Sequence, residues 1–89
     1  MIRDAQTAVR VLELVDNANR MLKESLELVR TSCPEEEYDA YLPGIAQVTG
    51  RLFFLVIQPI YIQHPALIPA DTPREFVEAW ARARTIQET

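Results

Sequence analysis

The chain of 89 residues is poor in the residues that carry most catalytic and ligand chemistry: it has one cysteine, one histidine and two glycines. Cys33 alone forms no internal disulfide, so the sequence does not indicate a cross-linked secreted scaffold. Phosphate-cradling loops require several closely spaced glycines, which Gly44 and Gly50 do not provide. HExxH, CxxC and acid-rich calcium-loop motifs are missing too, so we expect no metal and no cofactor.

The same scarcity argues against catalysis. Cys33 and His64 stand at opposite ends of a predicted helix, roughly 45 Å apart at 1.5 Å per residue, and no third group is placed to orient the histidine. They meet only if two copies of the chain pair in antiparallel orientation. We therefore expect a protein that is not an enzyme.

Basic residues are also few. Nine Lys and Arg stand against 13 Asp and Glu, for a net charge of −4. They form no cluster of the kind that binds nucleic acid or an anionic lipid surface, so we expect neither nucleic acid nor a membrane as a partner. Residues 1–20 carry charges throughout and lack the uninterrupted apolar segment of a secretory signal, which favours a cytoplasmic location.

Apolar residues, by contrast, make up 48% of the chain. A domain of this size buries only about 60% of the surface that its unfolded form exposes, so its own core is marginal. Association with a second copy is a common remedy in such small proteins. The composition therefore predicts a single helical domain, residues 1–89, that forms a homodimer.

Residues 4–31 predict a long helix without proline or glycine. Apolar residues recur three and four apart along one face, and a second row of Leu14, Met21 and Leu28 steps by seven beside it. A band this wide contacts two neighbouring helices, as in a bundle. Asn19 interrupts the band, and it either fixes the register of a partner helix or meets water at the band's edge.

A second helix is predicted over 35–63. Ser32 and Glu35 form a capping-box pattern at its start, and the short connection indicates an antiparallel hairpin. Pro43 either kinks this helix or breaks it; the apolar stripe keeps its phase across the proline, which favours a kink. We expect that stripe to face the first helix; its members are Tyr38, Tyr41, Leu42, Ile45, Val48, Leu52, Leu55, Val56 and Pro59.

The segment 52–70 carries no formal charge, and its burial is the main question that the sequence raises. A membrane span needs about 20 predominantly apolar residues, but Pro59, Pro65 and Pro69 divide this segment. We interpret its first part as the end of the second helix and residues 64–72 as a proline strap.

A final helix is predicted over 73–87, after the start signal Thr72-Pro73. It carries the only tryptophan of the chain, Trp80. This side chain either packs in the core or anchors a partner.

Together these patterns predict an all-α fold: a long antiparallel helical hairpin plus a short C-terminal helix, pairing into a dimeric four-helix-type bundle. The function we expect is that of a small non-enzymatic interaction or regulatory module, with itself and possibly another protein as partners. The sequence leaves open whether the two hairpins of the dimer pack parallel or antiparallel. The predicted interface residues are Leu14, Met21, Leu28, Phe53, Phe54, Ile57 and Trp80.

The alternative is a small-ligand-binding protein or minor enzyme with a pocket near Tyr61 and His64, beside the proline strap. Arg51 either finds a buried partner or emerges on the outer face of its helix with Gln47 and Gln58. The candidate ligand-binding residues are Tyr38, Tyr41, Arg51, Tyr61 and His64.

Overall fold

The computed structural model describes residues 2–88, and their side chains as far as residue 86. Over this range the chain contains three helices and no strand, and it is 86% helical, which confirms the all-α prediction. The helices are α1 (Ala5–Ser32), α2 (Glu35–Gln63) and α3 (Arg74–Glu88). A short 3₁₀ turn, Pro65–Leu67, follows α2 in the connector. These bounds lie within one residue of the predicted ones.

The start of α1 is capped by Asp4. Its carboxylate accepts a hydrogen bond from the backbone N–H of Thr7 at 2.8 Å, which satisfies one of the free amides of the first turn. The predicted capping box at the start of α2 is wrong. Ser32 is still part of α1, and the N-cap of α2 is Pro34, which makes no side-chain hydrogen bond.

Helix α2 runs without a break through Pro43, so the alternative of two separate helices at this proline is excluded. A single π-helical turn, Phe53–Ile57, interrupts the α-helical geometry further along, and the N–H of Gln58 donates to the carbonyl of Phe53. Pro59 has no N–H for the carbonyl four residues earlier, and its ring would press against it. The wider turn just before the proline removes this clash.

Two hydrogen bonds show the antiparallel register of α1 and α2. The hydroxyls of Ser25 and Tyr41 are 2.8 Å apart, and Nε2 of His64 donates to the carbonyl of Ile2 at 2.5 Å. Ser25 and Ile2 are 23 positions apart along the chain, as are Tyr41 and His64. The same pairing therefore holds along most of the hairpin.

The molecule is long and thin, with extents of 52 × 25 × 22 Å. Its radius of gyration is 16.0 Å, against about 12 Å for a compact domain of this length. Within the described part of the chain, the core consists of a few apolar side chains near the hairpin and the C-terminal helix: Ala8, Ile45, Ile57, Ile60, Ile62 and Trp80. Much of the apolar material of α1 and α2 thus lies outside the core.

By length and composition, α2 is apolar enough to cross a bilayer, with a mean hydropathy of 1.4 in its most apolar window, of which 22% is buried. Core helices of soluble proteins meet the same criterion. The expectation that no membrane is involved therefore stays a prediction.

Candidate functional site

One side of the hairpin carries two parallel rows of exposed apolar side chains, here called the hairpin face. On α1, the predicted row of Leu14, Met21 and Leu28 is 52 to 67% exposed. On α2, Val48 and Leu55 are 49% and 63% exposed. The hairpin face is formed by residues seven apart on each helix: Leu14, Met21 and Leu28 on α1, and Tyr41, Val48 and Leu55 on α2.

The Ser25–Tyr41 hydrogen bond shows that the two rows lie on the same side. Ser25 falls between Met21 and Leu28 on the surface of α1, since residues three and four apart are neighbours on a helix. Its partner Tyr41 begins the row on α2. Because the helices are antiparallel, this register places Val48 at the level of residue 18, between Leu14 and Met21. The two rows therefore run along the same side of the hairpin, with the exposed Arg51 beside Leu55.

The row on α2 departs from the sequence prediction, which turned Val48 and Leu55 toward α1. The π turn adds one residue to its helical turn and rotates the following segment. Ile57, at the end of this turn, is buried and Leu55 within it is exposed. Val48 lies before the π turn, so its exposure does not depend on that turn.

Two predicted interface residues need correction. Ile57 and Trp80 are only 8% and 3% exposed within the single chain, so they belong to its own core and offer no surface to a second subunit. Phe53 is half-buried, while Phe54 is exposed and meets it edge to face at 5.3 Å between ring centroids.

Asn19 lies between α1 and α2 rather than at a wet edge. Its side chain is half-buried, and its Oδ1 is shielded from solvent without a hydrogen-bond partner in the described chain. An amide oxygen left in this state costs stability.

The five residues predicted to line one polar pocket do not come together. Tyr41 and Tyr61 are 20 positions apart on the continuous α2, which corresponds to about 30 Å. Tyr38 is half-buried near the start of that helix, and Arg51 is exposed along a shallow groove of about 480 Å³ with Gly50 and Phe54. His64 is occupied by the carbonyl of Ile2.

Tyr61, however, lines a different cavity, here called the aromatic cavity, of about 310 Å³. Trp80 is at its centre, with ring centroids 5.4 Å from Tyr61, 6.2 Å from Phe53 and 6.0 Å from Phe76. The connector between α2 and α3 closes one side. The complete lining is Phe53, Tyr61, Pro69, Asp71, Thr72, Pro73, Phe76 and Trp80.

The electrostatics of the aromatic cavity are negative. Burial raises the pKa of the Tyr61 hydroxyl, and the nearby carboxylate of Asp16 raises it further. Asp71 contributes the one charged side chain of the described lining. No Lys or Arg of the described chain lines it.

Arg84, which was not among the predicted site residues, joins α3 to the end of α2. Its Nε donates to the carbonyl of Ile62 at 2.6 Å. The last carbonyls of a helix lack partners within it, and the negative end of the helix dipole favours a cation there. In the sequence, the only indication of this contact was an arginine about twenty residues after the predicted end of the second helix.

Cys33 shows no sign of a reactive thiol. A hydrogen bond to the Glu37 side chain, together with burial, raises the pKa of this thiol, whereas a nucleophilic cysteine needs a lowered one. No group of three or more potential metal-ligating side chains occurs between residues 2 and 86.

The chain matches no protein family, no curated protein sequence and no solved structure.

Proposed function

We propose that this chain is a non-enzymatic interaction module that forms a homodimer, in which two hairpins pack through the hairpin face as a four-helix bundle. The observation that carries this proposal is the pair of exposed apolar rows, each with a spacing of seven residues. Side chains at this spacing stay on one side of a slightly supercoiled helix and interlock with those of a neighbour. Two such faces give the packing typical of four-helix bundles.

The surroundings of the hairpin face support a protein partner. Charged side chains border the apolar row of α1: Arg10, one turn before Leu14, pairs with Glu13 at 3.1 Å, and the exposed Glu24 is three positions from Met21 and four from Leu28. An apolar centre with a charged, solvated rim is the usual anatomy of a protein interface. A second copy of the chain supplies a face of the same shape and spacing, as twofold symmetry requires.

The surface area points in the same direction. The chain exposes 6622 Å², about 1,300 Å² more than the roughly 5,300 Å² expected of a compact monomer of this mass. A stable dimer buries about 800 Å² on each partner. The exposed surface in excess of that of a compact monomer is therefore large enough to supply one such interface.

The charges on α1 argue for a water-soluble assembly rather than a membrane one. Helix α1 packs along α2, so a bilayer that enclosed α2 would also enclose the charged rim of α1. Such charges are costly in hydrocarbon unless they pair inside a bundle. This supports the proposal that the module does not insert in a membrane.

Size-exclusion chromatography with multi-angle light scattering tests the proposal. We expect a mass of about 20 kDa, twice the 10.2 kDa of one chain. A monomer that persists to high micromolar concentration would overturn the dimer. Recovery of the expressed chain only in a detergent-extracted membrane fraction would overturn the soluble module.

A second candidate function is the binding of a small ligand, and the aromatic cavity favours it. Its volume of about 310 Å³ is at the lower end of the range for ligand sites, roughly 300 to 1,000 Å³. Tyr61 lines this cavity, and His64 is not among its lining residues in the described chain. A titration that follows the fluorescence of Trp80 tests this candidate.

A further inference from the structure

We propose that the aromatic cavity binds a small organic cation, such as a quaternary ammonium group. This inference rests on the second candidate function, ligand binding at this cavity, and is independent of the dimer. The observation that carries it is the combination of four aromatic rings with a single rim carboxylate, Asp71.

The rings supply the first part of the recognition. The faces of Trp, Tyr and Phe rings carry negative potential and attract a cation within about 6 Å, most strongly when the site excludes water. Trp80, only 3% exposed, closes the floor behind the other three rings. The rings that a ligand contacts are therefore mainly the exposed Phe76 and the half-buried Phe53 and Tyr61. Pro69 and Pro73 complete an apolar wall that fits methyl groups better than a hydrated ammonium.

The carboxylates supply the second part. Asp71 is exposed at the rim, and Asp16 lies near enough to Tyr61 to raise the pKa of its hydroxyl. Two cationic side chains near the cavity are engaged elsewhere: Arg74 is directed along α3 toward Glu78, at 3.6 Å, and Arg84, one turn after Trp80, donates to the carbonyl of Ile62. The net charge of −4 also favours the approach of a cation over that of an anion.

The position of the cavity leaves it open in the proposed dimer. Phe53, which lines the cavity, lies about 140° around α2 from Val48, at 100° per residue, so it points away from the hairpin face. Ligand binding and dimerisation can therefore be tested separately.

The experiment compares choline with its uncharged isostere, in which a tert-butyl group replaces the trimethylammonium, at constant ionic strength. The chain has one tryptophan, so its fluorescence reports on this cavity alone, and saturation-transfer NMR of the ligand methyl protons gives a second readout. We expect choline to bind at millimolar concentrations or below, and the isostere to bind at least several-fold more weakly.

Two variants localise the binding. Phe76→Leu keeps an apolar side chain but removes a ring, and we expect it to weaken choline binding between about two- and thirtyfold. Asp71→Asn should weaken choline binding and leave the isostere unchanged. The matched control for the charge is Asp39→Asn, which makes the same change at an exposed position outside the cavity and should bind as the parent does.

Each outcome decides the proposal. Equal binding of choline and the isostere would show that the cavity does not recognise the positive charge, and it would keep the proposal that the cavity binds a ligand. Binding of neither would overturn both. If Asp39→Asn weakened choline binding as much as Asp71→Asn, the attraction would come from the overall charge of the protein. A specific cation site at the aromatic cavity would then be excluded. Should Phe76→Leu lose its helical circular dichroism, the Asp71 and Asp39 pair still decides.

Discussion

The hydroxyl of Tyr41 donates a hydrogen bond to Oγ of Ser25, 2.8 Å away across the hairpin. The direction follows from the second bond of the serine, whose own proton goes to the carbonyl of Leu22 at 2.6 Å. This contact places the apolar row of α2 beside that of α1. The proposed dimer face depends on this register, because a shift of one residue would rotate one row away from the other.

The hydrogen bond should contribute modestly to stability. Tyr41→Phe removes the donor, while Ser25 keeps its bond to the backbone. We expect the free energy of unfolding to fall by about 0.5 to 1.5 kcal/mol, as measured by urea denaturation at fixed protein concentration. Tyr38→Phe, three positions earlier on α2, is the matched control and should change it less.

A charge on the hairpin face should dissociate the dimer. Met21→Glu and Val48→Glu each place a carboxylate opposite an apolar surface, and an unpaired buried charge costs roughly 3 to 5 kcal/mol. The dissociation constant should rise about 100-fold or more, as measured by analytical ultracentrifugation. Gln6→Glu adds the same charge outside the face and should leave it unchanged. An unaltered mass in both face variants would place the interface elsewhere.

The contact between Arg84 and Ile62 should hold α3 in place. Arg84→Met keeps most of the apolar stem but leaves the carbonyl of Ile62 without its charged donor. We expect the free energy of unfolding to fall by about 1 to 3 kcal/mol. Amide hydrogen exchange should become faster in α3 than in α1. Arg82→Met, at an exposed position, should cost less than about 0.5 kcal/mol. Equal effects of the two variants would contradict the assignment.

Asn19 should be a site of stabilising substitution. Its Oδ1 is buried without a partner in the described chain, and an apolar side chain of similar size removes that penalty. We expect Asn19→Leu to raise the free energy of unfolding by about 1 kcal/mol or more, measured by urea denaturation. Asn17→Leu, at an exposed position on α1, should not raise it. A destabilised Asn19→Leu variant would mean that the oxygen accepts a hydrogen bond in solution.

The cap of α1 should make stability depend on acid. The hydrogen bonds from the Thr7 hydroxyl and backbone N–H lower the pKa of Asp4 below its ordinary 3.8. A lowered folded-state pKa means that this contribution is complete above the unfolded pKa and is lost as the pH falls through the folded one.

The melting temperature should therefore fall below about pH 4, and less so in Asp4→Asn, because asparagine caps a helix without titrating. The pKa of Glu27 is also lowered, by Arg30, so the difference between the two melting curves isolates Asp4. Parallel curves would contradict the role of its carboxylate.

Local patterns in the sequence were sufficient for the secondary structure. The three- and four-residue spacing in residues 4–31 and the prolines of the connector placed the helix bounds within one residue, because these signals act over a single turn. The exposed row of Leu14, Met21 and Leu28 was also visible, since it follows from spacing alone. The aromatic cavity was only partly predicted: Tyr61 was named, but its partners come from three separate segments.

What the sequence by itself determined is an all-helical chain with more apolar surface than one small core can bury, because periodicity and composition are properties of the local chain. Only the tertiary structure decided which apolar residues remain exposed. On α2, Ile57 at the end of the π turn is buried, while Val48 before that turn and Leu55 within it are exposed. It also decided that Trp80 gathers three other rings around a cavity, since that packing depends on how the connector brings α3 back against α2.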